Sequence, residues 1–358
     1  MRRAPRFLAA LLLAFHLFSC TPGGTGGISP PPPAATSSPV LSTGSPGARP
    51  TESPGKVGEH WKEVLASRLK TAPGLVYCSA GDASPLVKVI EGKEHKVKEK
   101  WPSETIKYHL ALRPDGTELW CTPPYWEFGK GLLRLPLMVM NPKNGAIMEK
   151  IPCPGAVMTA FTPDSEKAYV SLIASSTVEV YDVKTRKKTG AIDAGKHPKS
   201  LCVSFDGRRL YVGHSSAVTA DTVTTPQGIK LPRVDTGSEY VTVIDTASDK
   251  VTEKIAVKGI PAGLALKPDG SLLYASVNNV VRKPYTALTK GPVAVIDTAG
   301  GKIIRTITYP GTHPISDLAY TPDGKKVYGI CGGLQDSAFV FDAEKHVLKK
   351  VIALDVGG

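Results

Sequence analysis

The feature that most limits what this chain can fold into is a repeat. An apolar stretch, a Pro-Asp-Gly-type turn and a strand closing on an aromatic residue recur along it. The copies are residues 110–120 (LALRPDGTELW), 160–170 (AFTPDSEKAYV), 201–212 (LCVSFDGRRLYV), 264–274 (LALKPDGSLLY) and 318–328 (LAYTPDGKKVY). Proline presets φ for the turn and glycine takes its positive-φ position, so each copy reads as a β-hairpin. A second piece alternates with the first. It is an alternating strand ending in Asp or Asn, a polar turn, and another alternating strand. Residues 241–255 (VTVIDTASDKVTEKI) are its clearest copy; 178–192, 293–307 and 339–352 match it, and 137–151 and 86–101 are looser. Period-two alternation indicates strands with neighbours on both faces.

Joined, the two pieces make a four-stranded unit of 42 to 63 residues, measured between Asp115, Asp164, Asp206, Asp269 and Asp323. One such sheet cannot bury both of its faces. Sheets stacked radially bury each other, so the expectation is an all-β chain, a β-propeller of four-stranded blades. Six second pieces and five hairpins imply six blades, with room for a seventh in the long stretches 214–240 and 276–292. The inner strand missing from the first unit is sought in residues 62–69, ahead of Val76-Tyr77-Cys78. Composition agrees: aromatic residues are only 7%, while Gly (35) and Pro (31) are frequent, as many turns and short strands require.

The order Tyr-Val, Val-x-Val-Ile-Asp, Lys-Val, Ile, Gly-x-x-Pro, Pro-Asp-Gly resembles the YVTN-repeat propeller family, which includes YncE-like periplasmic proteins. Residues 168–356 carry the resemblance well and 74–167 more loosely. The family implies the propeller fold, and its YncE-like members imply DNA as one partner class.

The N-terminus sets an expected compartment. Arg2, Arg3 and Arg6 precede an apolar run from Phe7 to Phe18 that is broken only by His16. Twelve residues are too few for a bilayer span, which needs about 20, so the run reads as a signal-peptide core. It ends in Leu17-Phe18-Ser19-Cys20, which resembles a bacterial lipobox. By that resemblance residues 1–19 are cleaved and Cys20 is lipidated, anchoring the chain to a membrane. Thr21, where an inner-membrane lipoprotein would carry Asp, points to the outer membrane, facing the periplasm or the cell surface. Residues 20–60, with four consecutive prolines at 30–33 and much Gly, Ser and Thr, cannot bury a core and read as a tether. Residues 61–358 are the propeller domain, expected to be monomeric.

In a propeller, the Pro-Asp-Gly turns and the Asp-x-x-x-x-Lys turns fall on one face. Links between sheets, and links between the two pieces, fall on the other. The second face collects the irregular sequence: His197-Pro198-Lys199, His313-Pro314, Tyr125-Trp126, the insertion 215–240 with Arg233, and the 278–285 stretch with Arg282 and Tyr285. Irregular, aromatic and basic, it is the candidate ligand-binding face. Lysines crowd the outer strands instead (Lys93, Lys96, Lys98, Lys100, Lys184, Lys187, Lys188, Lys345, Lys349, Lys350), where they guard exposed edges against pairing.

Reactive patterns are missing from the sequence. It holds no CxxC, CxxCH, HExxH, EF-hand, Gly-x-Ser-x-Gly or P-loop, so no cofactor is expected. Five cysteines besides Cys20 remain, and Cys121 with Cys153 is the pair expected to bridge if any does. The repeated aspartates answer to turns rather than catalysis. The leading expectation is a non-catalytic binding or scaffolding module of the cell envelope. Its partner would be an envelope protein or, given a net charge of +12, an anionic polymer or DNA. The alternative is a propeller enzyme or cofactor-binding protein, either lactonase-like or binding haem non-covalently through His197 or His313.

Overall fold

A computed structural model supplies the structure of the chain. It describes residues 75–79, 86–91, 96–102 and 109–353, apart from breaks at 125, 128–130, 225–229, 282–286, 312, 322 and 332–336. The signal, Cys20, the tether and the inner strand sought at 62–69 lie outside the described residues.

Each repeat becomes one antiparallel sheet. The first has three strands, β1 (Leu75–Ser79), β2 (Leu86–Glu91) and β3 (Lys96–Pro102). The second has β4 (His109–Leu112), β5 (Leu119–Thr122), β8 (Leu137–Met140) and β9 (Ile147–Ile151), with a ribbon of β6 (Trp126–Glu127) and β7 (Gly131–Leu132) between β5 and β8. The third is β10 (Ala156–Phe161), β11 (Lys167–Leu172), β12 (Thr177–Asp182) and β13 (Lys187–Asp193). The fourth is β14 (Pro198–Val203), β15 (Arg209–His214), β18 (Tyr240–Asp245) and β19 (Lys250–Ala256), and it too sends out a ribbon, β16 (Ala217–Thr224) with β17 (Lys230–Asp235). The fifth is β20 (Ile260–Leu266), β21 (Leu272–Val281), β22 (Ala287–Asp297) and β23 (Lys302–Ile307); the sixth is β24 (Ile315–Tyr320), β25 (Lys326–Cys331), β26 (Ser337–Asp342) and β27 (Val347–Ala353). The arrangement is the expected six-bladed β-propeller.

The repeated aspartates make turns. Asp115, Asp164, Asp206, Asp269 and Asp323 each accept the backbone N–H two residues on, at 2.9–3.0 Å, closing the hairpin between the first two strands of each sheet. Asp182, Asp245 and Asp342 do the same three residues on, in the turn between the last two strands.

The core lies between sheets rather than within them. Val87, Val89 and Trp101 of the first sheet pack on Leu119, Met138 and Met140 of the second. Similar apolar clusters join the second sheet to the third, the third to the fourth, the fourth to the fifth and the fifth to the sixth. At each of these seams one strand reaches the outer turn of the next sheet, β1 in the three-stranded sheet and the second strand in the four-stranded ones. Tyr77 donates its hydroxyl to the Pro142 carbonyl (2.8 Å). Trp120 donates to Glu118 (2.8 Å), which accepts from Arg186 of the following sheet (3.1 Å). Tyr169 donates to Asp249 (2.7 Å), beside Lys167, which donates to the same carboxylate (2.7 Å). Arg209, next to buried Tyr211, donates to the Thr298 carbonyl (3.2 Å). Tyr274 bonds His346 Nδ1 (2.7 Å). In the last sheet Tyr328 holds the same position and is 37% exposed.

These latches coincide with backbone strain. In each of the five described outer turns a residue at or next to the end is left-handed: Gly145 (φ 71°), Arg186 (55°), Asp249 (53°), Gly301 (59°) and His346 (53°). A side chain there costs roughly 1–2 kcal/mol. Arg186, Asp249 and His346 are the three latched through their side chains. Where the position is glycine, the latch falls on a backbone carbonyl, Pro142 or Thr298.

Tyr169→Phe should therefore lower unfolding free energy by about 1 kcal/mol, while Tyr328→Phe should stay within about 0.5 kcal/mol of the wild type. Urea denaturation checks this; equal losses would show that the hydroxyls do not tie the sheets.

Candidate functional site: the channel mouth and its arms

The innermost strands line the central channel and begin at the face that carries the inter-sheet links. Polar side chains near those beginnings meet inside it. Lys199, second in β14, sends its ammonium across to the Ser316 carbonyl of β24, 3.2 Å away and two sheets further on. Its backbone is held meanwhile, because the Lys199 carbonyl accepts from Ser171 Oγ (2.7 Å) and the neighbouring Ser200 hydroxyl donates to Ala262. His109, first in β4, accepts the Thr159 amide of β10 at its Nδ1 (3.4 Å). The buried Thr159 hydroxyl has no protein partner.

The electrostatics follow from this crowding. Burial, then the Lys199 charge, lower His109 to about 4, so it is neutral at pH 7. Asp317 is open to solvent, yet the crowding of protein around it raises its carboxyl, and Lys199 and the Leu318 amide oppose the rise. An ammonium, a neutral imidazole and a carboxyl group with weakened acidity thus come together from the second, fourth and sixth sheets. That set can orient a polar ligand by hydrogen bonds. It does not place a nucleophile against a base.

Three arms rise from this face, all between second and third strands: the β6–β7 ribbon, the β16–β17 ribbon, and the ends of β21 and β22, paired from Asn278–Lys290 to Val281–Ala287. Lys290 braces the last by donating to the Tyr309 carbonyl (2.5 Å) and the Gly311 carbonyl (2.9 Å), with its ammonium over the Tyr309 ring at 4.8 Å.

The residues singled out from sequence fare differently. Lys199 reaches from β14 to the Ser316 carbonyl of β24. His197 does not project over the channel: the ring is buried, with Nδ1 2.6 Å from the Ile173 carbonyl and Nε2 3.0 Å from Asp235. His313 is half-buried, and its carbonyl accepts from Tyr309 (3.5 Å) and Cys331 (3.3 Å). Arg233 and Trp126 lie on arm strands β17 and β6. Tyr125, Arg282 and Tyr285 are outside the described residues. The expected Cys121–Cys153 bridge is not made: Cys121 Sγ lies 3.5 Å from Met140 Sδ, while Cys153 is a buried thiol 3.3 Å from Glu179 and pushed up to about 12, chiefly by burial. Among the described residues no group of three or more His, Cys, Asp or Glu could hold a metal ion.

His109 and Asp317 were not foreseen, although the repeat contained a signal. Five residues before the turn proline or its equivalent Phe205, the copies read His109, Met158, Ser200, Gly263 and Asp317. The copies agree where strands pack and differ at this channel-side position, as they do at the preceding one, which reads Tyr108, Val157, Lys199, Ala262 and Ser316.

Comparison with known proteins supports the superfamily and stops there. No family model matches the chain. It is 31% identical over 206 residues to Antigen Lp49 of Leptospira interrogans, spanning 56% of this chain and 42% of that protein. It is 36% identical over 76 residues to the uncharacterized protein YncE of Salmonella typhimurium, spanning 21% of this chain and 22% of the other. The chain thus matches less than half the length of either relative. In structure it resembles hydrazine synthase of Kuenenia stuttgartiensis, with a TM-score of 0.52 at 19% identity, over 70% of this chain and 66% of that one. At that identity the likeness concerns the fold alone.

His109 and His214 are both lowered to about 4. A histidine whose folded value lies below its unfolded one, about 6.5, adds stability above 6.5 that is lost as pH falls toward 4. Unfolding free energy should therefore drop between pH 7 and pH 5, and His109→Gln should shrink that drop. An unchanged drop in the variant would remove His109 from the account.

Proposed function

We propose that this protein is an exported, lipid-anchored binding module of the cell envelope. It takes its partner on the arm-bearing face and performs no chemistry of its own. The observation that carries the reading is sidedness. Irregular arms and the polar channel mouth share one face, and the other holds short, aspartate-closed turns. Catalysis finds less support, because Lys199, His109 and Asp317 are each engaged by a backbone group and the aspartates repeat for the sake of turns. Haem ligation by His197 loses its geometry, since both ring nitrogens are engaged.

The anchor rests on Cys20 and the apolar run before it. Lipidation there, with residues 20–60 as tether, would hold the arm face away from a membrane, the outer one by the Thr21 reading. The partner class favoured by position is an envelope protein. An anionic polymer or DNA would be held chiefly by charge, and its retention would fall steeply with salt.

Two measurements test this reading. Labelled palmitate should enter the wild-type chain and be absent from Cys20→Ala; label persisting in the variant would remove the anchor. The full-length protein, immobilised by its C-terminus, should retain a component of an envelope extract, and replacing residues 218–234 with a two-residue turn should cut that retention at least tenfold. Loss instead on reversing Lys184, Lys187 and Lys345 to Glu would move binding to the opposite face and overturn the proposal.

A further inference from the structure

The base of the fourth-sheet arm is built around one histidine. The link before β14 forms a saddle for both feet of the β16–β17 ribbon. Ser215 donates its amide to the His197 carbonyl (2.9 Å), and Ser238 donates its amide to the Lys196 carbonyl (3.3 Å). Lys196 donates its amide to Ser238 Oγ (2.9 Å), and His214 Nδ1 bonds the Lys196 carbonyl (2.9 Å). The feet approach so closely that a Cβ on Gly237 would sit 1.8 Å from the Ser215 carbonyl oxygen. His197 itself takes φ 53°, a conformation a non-glycine residue keeps only when its surroundings hold it there.

Among the described residues, the ring of His197 contacts two acceptors and no donor. Nδ1 lies 2.6 Å from the Ile173 carbonyl, in the third sheet, and Nε2 lies 3.0 Å from an Asp235 carboxylate oxygen, at the end of β17. Neutral imidazole carries one N–H, whereas imidazolium carries two. Only the protonated ring can donate to both, and losing the proton leaves a nitrogen lone pair against a carboxylate or a carbonyl.

We propose that His197 is a proton-dependent clasp that fixes the base of the β16–β17 arm when charged and loosens it when neutral. The arm is then firmly seated at mildly acidic pH and freer at alkaline pH. In its consequence for binding, this rests on the reading of the arms as the partner surface.

The neighbouring charges fit a single switching group. Lys196, on the same link, also donates to Asp235 (3.3 Å), so the carboxylate keeps one partner when the ring lets go. Asp235 is held below the usual carboxylate range by His197 and Lys196 against the opposing effect of burial, and it remains ionised. His214 of β15 is buried, lowered to about 4 and neutral across the range at issue. Lys254 of β19 sits over the Tyr240 ring at 4.9 Å, and Asp193 accepts the Gly195 amide (3.1 Å). Neither offers the ring an alternative partner.

Amide exchange of the purified full-length protein, corrected for intrinsic rates, tests the clasp between pH 6 and 8, within the range in which imidazole side chains change charge. Protection of the β16 and β17 amides should fall about tenfold over that range, as expected when one charge-assisted bond is lost, while β10–β13 amides hold steady. Asp235→Asn places an amide that can donate to neutral Nε2, so its arm should stay protected at every pH. In ¹⁵N spectra of the wild type at pH 6, both ring nitrogens of His197 should be protonated. A flat wild-type profile, an Asn variant that follows the wild type, or a neutral His197 at pH 6 would each overturn the clasp. No partner is present in these measurements, so failure of the binding reading leaves them untouched.

Discussion

The structure depends on how one sheet grips the next. A single four-stranded unit of this sequence is apolar on both faces and has no core of its own; it folds by being covered. Apolar area supplies attraction without direction. Direction comes from the latch, in which the aromatic of a second strand, or the charged residue two places before it, reaches the outer turn of the next sheet. Tyr169 with Asp249 and Tyr274 with His346 are the clearest cases. The turn residue that receives the latch is the one whose backbone is left-handed. Strain at Arg186, Asp249 and His346 thus accompanies a side chain placed where the preceding sheet can hold it, and where no side chain is used, glycine relieves the strain.

Fixing the outer turns on one face fixes the rest. Each antiparallel sheet then puts its inter-sheet link and its middle connection on the opposite face. Every insertion in a middle connection becomes an arm there, and every substitution at the start of an inner strand changes the channel. Function can vary at those two places without disturbing the seams. Lys199, His109 and Asp317 occupy the second kind of place, and the β16–β17 ribbon occupies the first.

Much of this was legible in the sequence because it follows from periodicity. The Pro-Asp-Gly turns, the alternating strands and their count imply six sheets, and the order of turns and links implies the two faces. The stretch 215–240, irregular to the eye, folds as a ribbon whose strands pair from Ala217–Asp235 to Thr224–Lys230, with a register shift between Val218 and Thr222 that hides the pattern. Other features depend on tertiary contacts that no local pattern reveals. His197 looks like a loop histidine near a channel, yet its ring is taken by Ile173 and Asp235, from separate parts of the chain. Cys121 sits in β5 and Cys153 in the link from that sheet to the next, but Met140 and Glu179 meet the two sulfurs instead. Asp317 resembles any polar residue in a strand until the copies are aligned and its position proves to vary among them.

The coupling of strain to latch is the most exposed part of this account, and one thermodynamic cycle reaches it. His346→Gly removes both the left-handed strain and the acceptor for Tyr274. In the wild type those effects should nearly cancel. In a Tyr274→Phe background, where the bond is already gone, the same change should stabilise the protein by about 1 kcal/mol. Denaturant unfolding of the four proteins gives the coupling directly. A coupling near 1 kcal/mol is expected; an equal effect of His346→Gly in both backgrounds would show that the seams do not hold the turns.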